Sequence, residues 1–164
     1  MSAEARGISD KVMNNLKGVL LPAMTKGGPV NAIKVCKVKA PVMAAKAGKK
    51  FKWKIARTSL KYRNPKNAPD EWETKVLNDF EDRKNKGESI AGMSRIEVFS
   101  NPDGSRKVRY MRPIPTLGAC LNCHGSSLKP EVAAELDKLY PGDKARGFKP
   151  GDIRGAFTFT KKLN

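Results

Sequence analysis

Residues 119–125 read Ala119-Cys120-Leu121-Asn122-Cys123-His124-Gly125, and this stretch decides what the rest of the chain must enclose. Two cysteines separated by two residues, with a histidine directly after the second, form the attachment pattern of c-type haem. In that pattern both thiols form thioether bonds to the porphyrin vinyl groups, and the histidine binds the iron. The stretch therefore predicts one covalently attached haem c, held by Cys120 and Cys123, with His124 as an axial iron ligand.

Two other uses of a Cys-x-x-Cys pair fit this stretch less well. A thioredoxin-type redox pair opens a helix after a strand and needs no histidine. A zinc site needs further cysteine or histidine ligands at matching spacing, and the whole chain has three cysteines and one histidine. Covalent haem is the interpretation that uses all three residues of the motif.

The residue on the opposite face of the iron is left open by the sequence. His124 is the only histidine, which excludes a second imidazole. The remaining candidates are Cys36, a lysine, a water molecule or one of the six methionines, of which Met24, Met43, Met93 and Met111 have suitable positions. Methionine raises the potential of a haem iron, whereas an anionic thiolate stabilises the ferric state. Cys36 itself is either a small buried hydrophobe or an iron ligand.

The length and hydropathy of the chain indicate one domain over residues 1–164 and no membrane span, because no run of 18 apolar residues occurs. The polar start at residues 1–6 has no secretory leader. Haem of this type is attached outside the cytoplasm. We therefore expect a periplasmic protein whose native precursor carries a leader.

The charge balance is strongly basic, with 33 Lys and Arg against 16 Asp and Glu, a formal net charge of +17. Two ionised haem propionates would lower this only to about +15. An acidic redox partner is therefore expected. Lysines occur in every segment without an aromatic-interleaved stripe or a known binding motif, so nucleic acid is not expected as a partner. Leu20 and Leu21 fit a dimer contact and burial within one molecule equally well, which leaves the oligomeric state open.

Hydrophobic periodicity predicts two helices near the amino terminus. The first runs from Asp10 to about Leu21 and is ended by Pro22. After the break at residues 27–29, Gly-Gly-Pro, a second short helix starts at Val30. It carries Ile33 and Cys36 on its buried side and is ended by Pro41.

The rest of the chain mixes strands with helices. Strands are predicted at 51–55, with 57–62 as a possible continuation, at 95–100 and 107–112 around the turn 101–104, and at 153–160. Pro113 and Pro115 are expected to stop the third of these strands. Helices are predicted from Asp70 as cap to about Lys84, with Trp72, Val76, Leu77 and Phe80 inward, and from Pro130 to Tyr140. This order predicts an α+β fold with an antiparallel sheet flanked by helices.

Four phrases of the sequence also resemble a known family. They are residues 27–41, Gly-Gly-Pro-Val-Asn-Ala-Ile-Lys-Val-Cys-Lys-Val-Lys-Ala-Pro; 63–72, Arg-Asn-Pro-Lys-Asn-Ala-Pro-Asp-Glu-Trp; the haem motif at 119–125; and 147–157, Gly-Phe-Lys-Pro-Gly-Asp-Ile-Arg-Gly-Ala-Phe. Their order and content resemble the haem-binding domain with a PAS-like fold that was first described in a cyanobacterial c-type cytochrome. The resemblance covers nearly the whole chain.

The resemblance implies a low-spin haem with one histidine and one cysteine as axial ligands. Carried over by position, these are His124 and Cys36, with Cys120 and Cys123 as the thioether anchors. Related domains form the extracytoplasmic parts of some sensor kinases, so the resemblance also implies a redox- or gas-sensing role. No kinase follows here, which favours a free cytochrome.

Haem propionates need positively charged or hydrogen-bonding partners. The candidates nearest to the expected haem are Arg57, Tyr62, Arg63 and Arg112, and arginine suits bidentate contacts with carboxylates.

Three functions are compatible with these residues. The first is one-electron transfer or redox reporting by a monohaem cytochrome, without substrate turnover. The second is a sensor in which a diatomic gas displaces Cys36. The third is a haem enzyme acting on peroxide or sulfur compounds, which is disfavoured because no second histidine is available for acid–base catalysis.

Overall fold

The computed structural model describes residues 1–163, which form four helices and a four-stranded sheet. In chain order these elements are α1 (Ser2–Phe51), β1 (Lys54–Thr58), α2 (Glu71–Asn85), β2 (Arg95–Ser100), β3 (Arg106–Pro115), α3 (Leu121–His124), α4 (Pro130–Leu139) and β4 (Ile153–Leu163). The strand order is β1-β4-β3-β2, and every neighbouring pair is antiparallel. The predicted α+β class with an antiparallel sheet is confirmed, and the arrangement is consistent with a PAS-like fold. None of the helices in the described part carries an apolar stretch suited to crossing a bilayer.

Helix α1 is a hairpin of two limbs, the N-limb (residues 2–26) and the C-limb (residues 29–51). Gly27 and Gly28 have non-helical backbone angles, and Gly28 has a φ of 68° that glycine adopts without strain. The Asn31 side chain donates to the Ala23 carbonyl across the bend at 2.9 Å. At the far end Lys11 lies over the Phe51 ring, 5.4 Å from its centroid. The two limbs therefore run antiparallel, and the predicted break at the glycines is confirmed.

The predicted ends of these helices at Pro22 and Pro41 are wrong. The helix begins at Ser2 and continues through both prolines, since the only non-helical angles lie at the glycines. An interior proline costs about 3 kcal/mol because it removes one hydrogen bond and crowds the preceding turn. Here both limbs are held by packing. Ala5, Ile8 and Ala23 are buried in the N-limb around Pro22, and in the C-limb Ala32 and Ile33 are buried before Pro41 while Ala44 and Ala47 pack against the core after it. Burial of these apolar faces outweighs the local cost.

The two faces of the sheet carry separate parts of the core. One face packs against α1 through a cluster of Ala5, Ile8, Trp53, Ile55, Val108, Tyr110, Phe157 and Phe159. The other face packs against α2 through Val76, Leu77, Phe80, Met93, Met111, Ile153 and Ala156. Strand β4 contributes to both faces because successive side chains of a strand point in opposite directions.

Helix α2 agrees with its prediction and is well capped. The Asp70 carboxylate accepts from the Glu73 backbone N–H at 2.9 Å, and the Glu73 carboxylate accepts from the Asp70 backbone N–H at 3.0 Å. Glu73 also accepts from Arg109 on β3 and from the Thr158 hydroxyl on β4. The cap therefore ties the start of α2 to the centre of the sheet. The predicted hairpin of β2 and β3, helix α4 and strand β4 are also confirmed.

Two strand boundaries differ from their predictions for identifiable reasons. β1 spans Lys54–Thr58 rather than 51–55, because α1 continues to Phe51 and ends at Lys52 in the left-handed conformation, with a φ of 56°. β3 continues through Pro113 and Pro115 to residue 115, so the prediction that they stop it is wrong. β2 pairs with β3 only as far as Met111. Beyond that residue one edge of β3 is free of a partner strand, where proline is tolerated.

Strand β4 depends on glycine at position 155, which we expect to tolerate no side chain. Gly155 has a φ of 150°, and a Cβ placed there would lie 2.5 Å from the Thr58 carbonyl oxygen of β1. Gly155→Ala should therefore lower the free energy of unfolding by about 2–4 kcal/mol, measured by urea titration.

Gly18→Ala is the matched control, because Gly18 lies in α1 and its Cβ would meet nothing within 4 Å. Alanine has the higher helix propensity, so this change should be neutral or stabilise by up to about 1 kcal/mol. Equal effects of the two substitutions would contradict the close approach of β4 to β1.

Candidate functional site

The Cys-x-x-Cys-His motif lies between β3 and α4 and is anchored at both ends by backbone hydrogen bonds. Before the motif, the Thr116 N–H donates to the Asp152 carbonyl at 2.8 Å, and the Gly151 N–H donates to the Thr116 carbonyl at 2.9 Å. After it, the Phe148 N–H donates to the His124 carbonyl at 2.9 Å. The short helix α3 thus presents the motif against the segment 145–152 that leads into β4.

The His124 ring is oriented by one backbone acceptor. Its Nδ1 lies 2.8 Å from the Ala145 carbonyl oxygen, which can only accept a hydrogen bond, so Nδ1 carries the proton. Nε2 then carries the lone pair of the neutral imidazole, and this is the tautomer that can bind a metal through Nε2. The Phe148 ring packs edge-on against the imidazole at 6.2 Å. Burial, together with the charges of Arg154 and Arg63, lowers the pKa of His124 to about 2, so the ring is neutral at ordinary pH.

Arg63 and Asp143 hold the Ala145 segment against the motif. Arg63 pairs with the Asp143 carboxylate at 3.1 Å, and it also donates to the carbonyl oxygens of Cys123 and Ala145. Asp143 in turn accepts from the Ala145 backbone N–H at 2.9 Å and pairs with Arg146. Arg63 therefore connects the motif, the imidazole's acceptor and a buried carboxylate in one network.

The three cysteines of the chain lie in one neighbourhood. Burial raises the pKa of the Cys123 thiol; nearby Arg63 lowers it, and charge on Cys36 or Cys120 raises it further. Burial likewise raises the pKa of Cys36, opposed by Arg57. Cys123 also packs in a cluster with Ile33, one turn from Cys36 on the C-limb, and with Val132 and Leu136 of α4. The C-limb is thus brought over the motif, and the prediction that Ile33 and Cys36 face inward agrees with this packing.

Three guanidinium groups gather around the motif with few anions to balance them. Burial, then the charges of Arg57 and Arg63, lowers the pKa of Arg154 to about 9. Arg57 is accessible to solvent, yet enough protein surrounds it for desolvation to lower its pKa. Within residues 1–163 Arg57 has neither a hydrogen bond nor an ion pair, so it is available to an anionic ligand.

The other two residues predicted to contact the propionates, Tyr62 and Arg112, lie in two different parts of the molecule. Arg112 pairs with Asp10 and donates to the Ser9 hydroxyl of α1. The Tyr62 hydroxyl accepts from Lys144 at 3.1 Å, and the Tyr62 carbonyl accepts from the Lys144 backbone N–H. Tyr62 therefore lies next to the segment that carries Asp143, whereas Arg112 binds the N-limb.

Two of the candidate methionines lie in a different part of the molecule. Met93 and Met111 are completely buried in the core cluster under α2. Met24 and Met43 lie in α1, as Cys36 does.

Sequence reasoning did not identify Arg154, Asp143 or Ala145. The Arg154 Nε lies 3.2 Å from Nδ1 and 3.4 Å from Nε2 of His124, and because Nδ1 carries the proton only Nε2 can accept from it. Arg154 also donates to the Ser59 hydroxyl. Arg154 follows directly on the predicted start of the last strand. Its role at the site depends on tertiary structure. The pairing of β4 with β1 brings Arg154 next to Ser59, which directly follows β1, and next to His124.

This donor set suits a covalently attached haem. Two motif thiols are available for linkage, a neutral imidazole offers Nε2, a third thiol lies nearby, and arginines can bind carboxylates.

Comparison with known proteins supports haem binding. The family model described as Tll0287-like matches residues 1–161. Among solved structures, the crystal structure of the cyanobacterial heme-protein Tll0287 is similar, with a TM-score of 0.70 and 25% sequence identity. The alignment covers 96% of this chain and 94% of that one. No curated protein matches the chain.

The Arg63–Asp143 pair should stabilise the fold in a pH-dependent way. Desolvation raises the pKa of Asp143, but hydrogen bonds from Arg63, Arg146 and the Ala145 N–H outweigh it, so the net pKa is lowered. A lowered folded-state pKa contributes stability above the unfolded pKa of about 3.9, and this stability is lost as pH falls through the folded value. Asp143→Asn should cost about 2–4 kcal/mol at pH 7, and the difference should vanish below the folded-state pKa.

Urea titrations of both proteins between pH 2 and 7 measure this difference. Asp137→Asn is the control, since Asp137 also pairs with Arg146 but its side chain is 69% exposed. That change should cost less than about 1 kcal/mol at any pH. A pH-independent cost of Asp143→Asn would show that the charge of the carboxylate is not what matters.

Proposed function

Because the chain belongs to the Tll0287-like family, we propose that it is a monohaem c-type cytochrome that transfers single electrons or reports redox state. One observation carries this proposal. The His124 Nδ1–H is committed to the Ala145 carbonyl at 2.8 Å, which leaves Nε2 as the ring's lone pair, one residue from a motif thiol. A catalytic or purely structural histidine at this position would not need two cysteines at this spacing.

Cys120 and Cys123 are proposed to link the haem covalently, and His124 to bind its iron. When bound, the haem supplies an iron that changes reversibly by one electron. The protein's contribution is to fix the ring orientation of His124 and to exclude water, which the packing of Phe148 and the network of Arg63 support. Since c-type haem is attached outside the cytoplasm, we also propose a periplasmic location.

Cys36 is proposed as the second axial ligand. In support of this, the C-limb carries Cys36 within electrostatic range of Cys123, and Ile33 of the same limb packs with Cys123. Met93 and Met111 are held in the α2 core cluster and are therefore poor alternatives. A thiolate donor stabilises ferric iron, so a low reduction potential is expected.

Arg57, Arg154 and Arg63 are proposed to offset the charge of the propionates. Burial lowers the pKa of Arg57 and Arg154, and the charges of Arg57 and Arg63 lower that of Arg154 further, so an anionic ligand would relieve a cost at both side chains. Arg63 already pairs with Asp143, so Arg57 is the leading contact.

A sensor that exchanges Cys36 for a diatomic gas is the second candidate. The observation that favours it is the mounting of Cys36 on a limb that is joined to the N-limb through Gly27 and Gly28. The Cys36 thiol is also only partly buried. Binding of carbon monoxide or nitric oxide to the ferrous protein, with loss of the sulfur spectral signature, would select this candidate over simple electron transfer.

Cys36→Met tests the axial ligand through the reduction potential. Replacing an anionic donor with a neutral thioether should raise the midpoint potential by on the order of 100 mV or more, measured by spectroelectrochemistry. Cys36→Ser should remove the sulfur-to-iron charge-transfer band from the ferric spectrum.

Two results distinguish iron ligation by Cys36 from covalent attachment of the haem by Cys120 and Cys123. Both Cys36 variants should retain haem after denaturation in acidified solvent, whereas removing both Cys120 and Cys123 should release it. An unaltered ferric spectrum in Cys36→Ser would exclude Cys36 as the ligand.

Arg57→Gln tests the propionate contact. Removal of a cation beside the haem should stabilise the ferric state and lower the midpoint potential by some tens of mV. Arg112→Gln is the matched control, because Arg112 loses the same charge but is paired with Asp10. Equal shifts in both variants would assign the effect to net charge and not to Arg57.

A further inference from the structure

The positive charge of this protein is concentrated in one part of the chain. Residues 11–69 contain 15 Lys and Arg and no Asp or Glu. The remaining residues contain 18 basic and 16 acidic residues. Almost the whole net charge of +17 therefore comes from 59 consecutive residues, which form most of α1, all of β1 and the loop that follows.

On α1 this charge is carried by lysines that point into solvent. Nine of them lie between residues 11 and 51, and each is exposed; they are Lys11, Lys17, Lys26, Lys34, Lys37, Lys39, Lys46, Lys49 and Lys50. Within the described residues, only Lys34 has a carboxylate partner, Glu135 at 3.8 Å. We call these nine lysines, together with Val38 and Val42, the lysine surface.

Elsewhere in the described residues, several cations are paired with carboxylates. On α2 and β3, for example, Lys75 pairs with Glu71, Arg83 with Glu88, and Arg109 with Asp70 and Glu73. Exposed lysines repel one another when no carboxylate separates them, so the acid-free part of the hairpin, residues 11–51, carries a cost that alternating charges would avoid. An anionic partner removes that cost.

We propose that the lysine surface is the docking site for an acidic protein, with which the haem exchanges electrons. This inference rests on the proposed function for its redox role. Cys36 and Val38 are two residues apart and so face opposite sides of the C-limb. A partner seated over Val38 is therefore separated from the Cys36 side of the limb by one helix, about 10 Å across.

The composition of the surface favours a protein over a membrane. Interfacial helices need a broad apolar face rich in Trp, Phe and Leu. On α1 the exposed large apolar side chains after Met1 are Leu21, Val38 and Val42, at 55%, 67% and 50% exposure. Two neighbouring valines surrounded by lysines make a small apolar centre with a charged rim, the layout of a transient protein contact.

The absence of arginine from this surface also argues against nucleic acid. Nucleic-acid recognition favours arginine and stacking against aromatic side chains, and residues 11–50 contain neither arginine nor an aromatic residue. Lysine is a hydrated point charge on a flexible stem. Such charges accelerate encounter with an acidic partner and allow rapid release.

Poly-L-glutamate serves as the binding probe for the haem-loaded protein. Lys39→Glu, Lys46→Glu and Lys49→Glu together reverse three unpaired charges around Val42. Lys86→Glu, Lys129→Glu and Lys162→Glu form the control, since these lysines are equally exposed and change the net charge by the same amount. At 50 mM NaCl the first triple variant should bind about tenfold or more weakly than the wild type, and the control less than threefold. Backbone amide shifts on binding should fall in residues 11–51.

A second measurement tests the redox role of the docking. Reduction of the haem by an acidic [2Fe–2S] ferredoxin should slow by about tenfold in the first triple variant and little in the control. Equal losses of binding in the two variants would overturn the inference. So would tighter binding at 150 mM NaCl to vesicles of phosphatidylserine and phosphatidylcholine, or to a 20-bp DNA duplex, than to poly-L-glutamate. Selective loss of poly-L-glutamate binding without any electron transfer would support the surface and refute the proposed function.

Discussion

The hydrogen bond from His124 Nδ1 to the Ala145 carbonyl is the interaction on which the site depends, because the chain has no second histidine to replace it. A backbone carbonyl can hold an imidazole only if the backbone itself is fixed. Here Asp143 accepts from the Ala145 N–H, and Arg63 donates to the carbonyls of both Ala145 and Cys123. The ring orientation is therefore a property of two chain segments held together by one buried ion pair.

The same molecule uses charge in two ways, and the contrast follows from what surrounds each cation. Between α2 and β3, Arg109 is matched by the carboxylates of Asp70 and Glu73 and contributes to the fold. Around the motif and along α1, Arg57 and the exposed lysines stand largely without such partners. Unmatched charge destabilises the folded chain slightly, so its concentration at two places is better explained by binding than by stability. The arginines beside the motif suit a ligand's carboxylates, and the lysines of α1 suit another molecule.

Local sequence patterns predict much of this fold, and the predictions that were wrong share a common cause. Asp70 was predicted as the cap of α2, and α2 begins directly after it, where Asp70 and Glu73 form a capping box. The glycines at 27 and 28 likewise mark the bend of α1. The wrong predictions were of helix and strand ends at prolines, because the effect of a proline depends on what packs beside it. These prolines are Pro22, Pro41, Pro113 and Pro115. A packed limb absorbs the cost of the first two, and the free edge of β3 beyond Met111 removes the cost of the others.

The same distinction applies to the site. Some of its features are determined by residues close together in sequence, and others by residues that only the tertiary structure brings together. The spacing of Cys120, Cys123 and His124 is local, so the motif was predicted from sequence. An arginine's role is not local: Arg63 and Arg57 both looked suited to propionates, yet Arg63 is engaged by Asp143, 80 residues away. Arg154 reaches His124 only because β4 lies between β1 and β3. Since a long flexible cation takes whichever partner tertiary structure supplies, sequence predicts that arginines are needed near the haem, and packing decides which of them remain free.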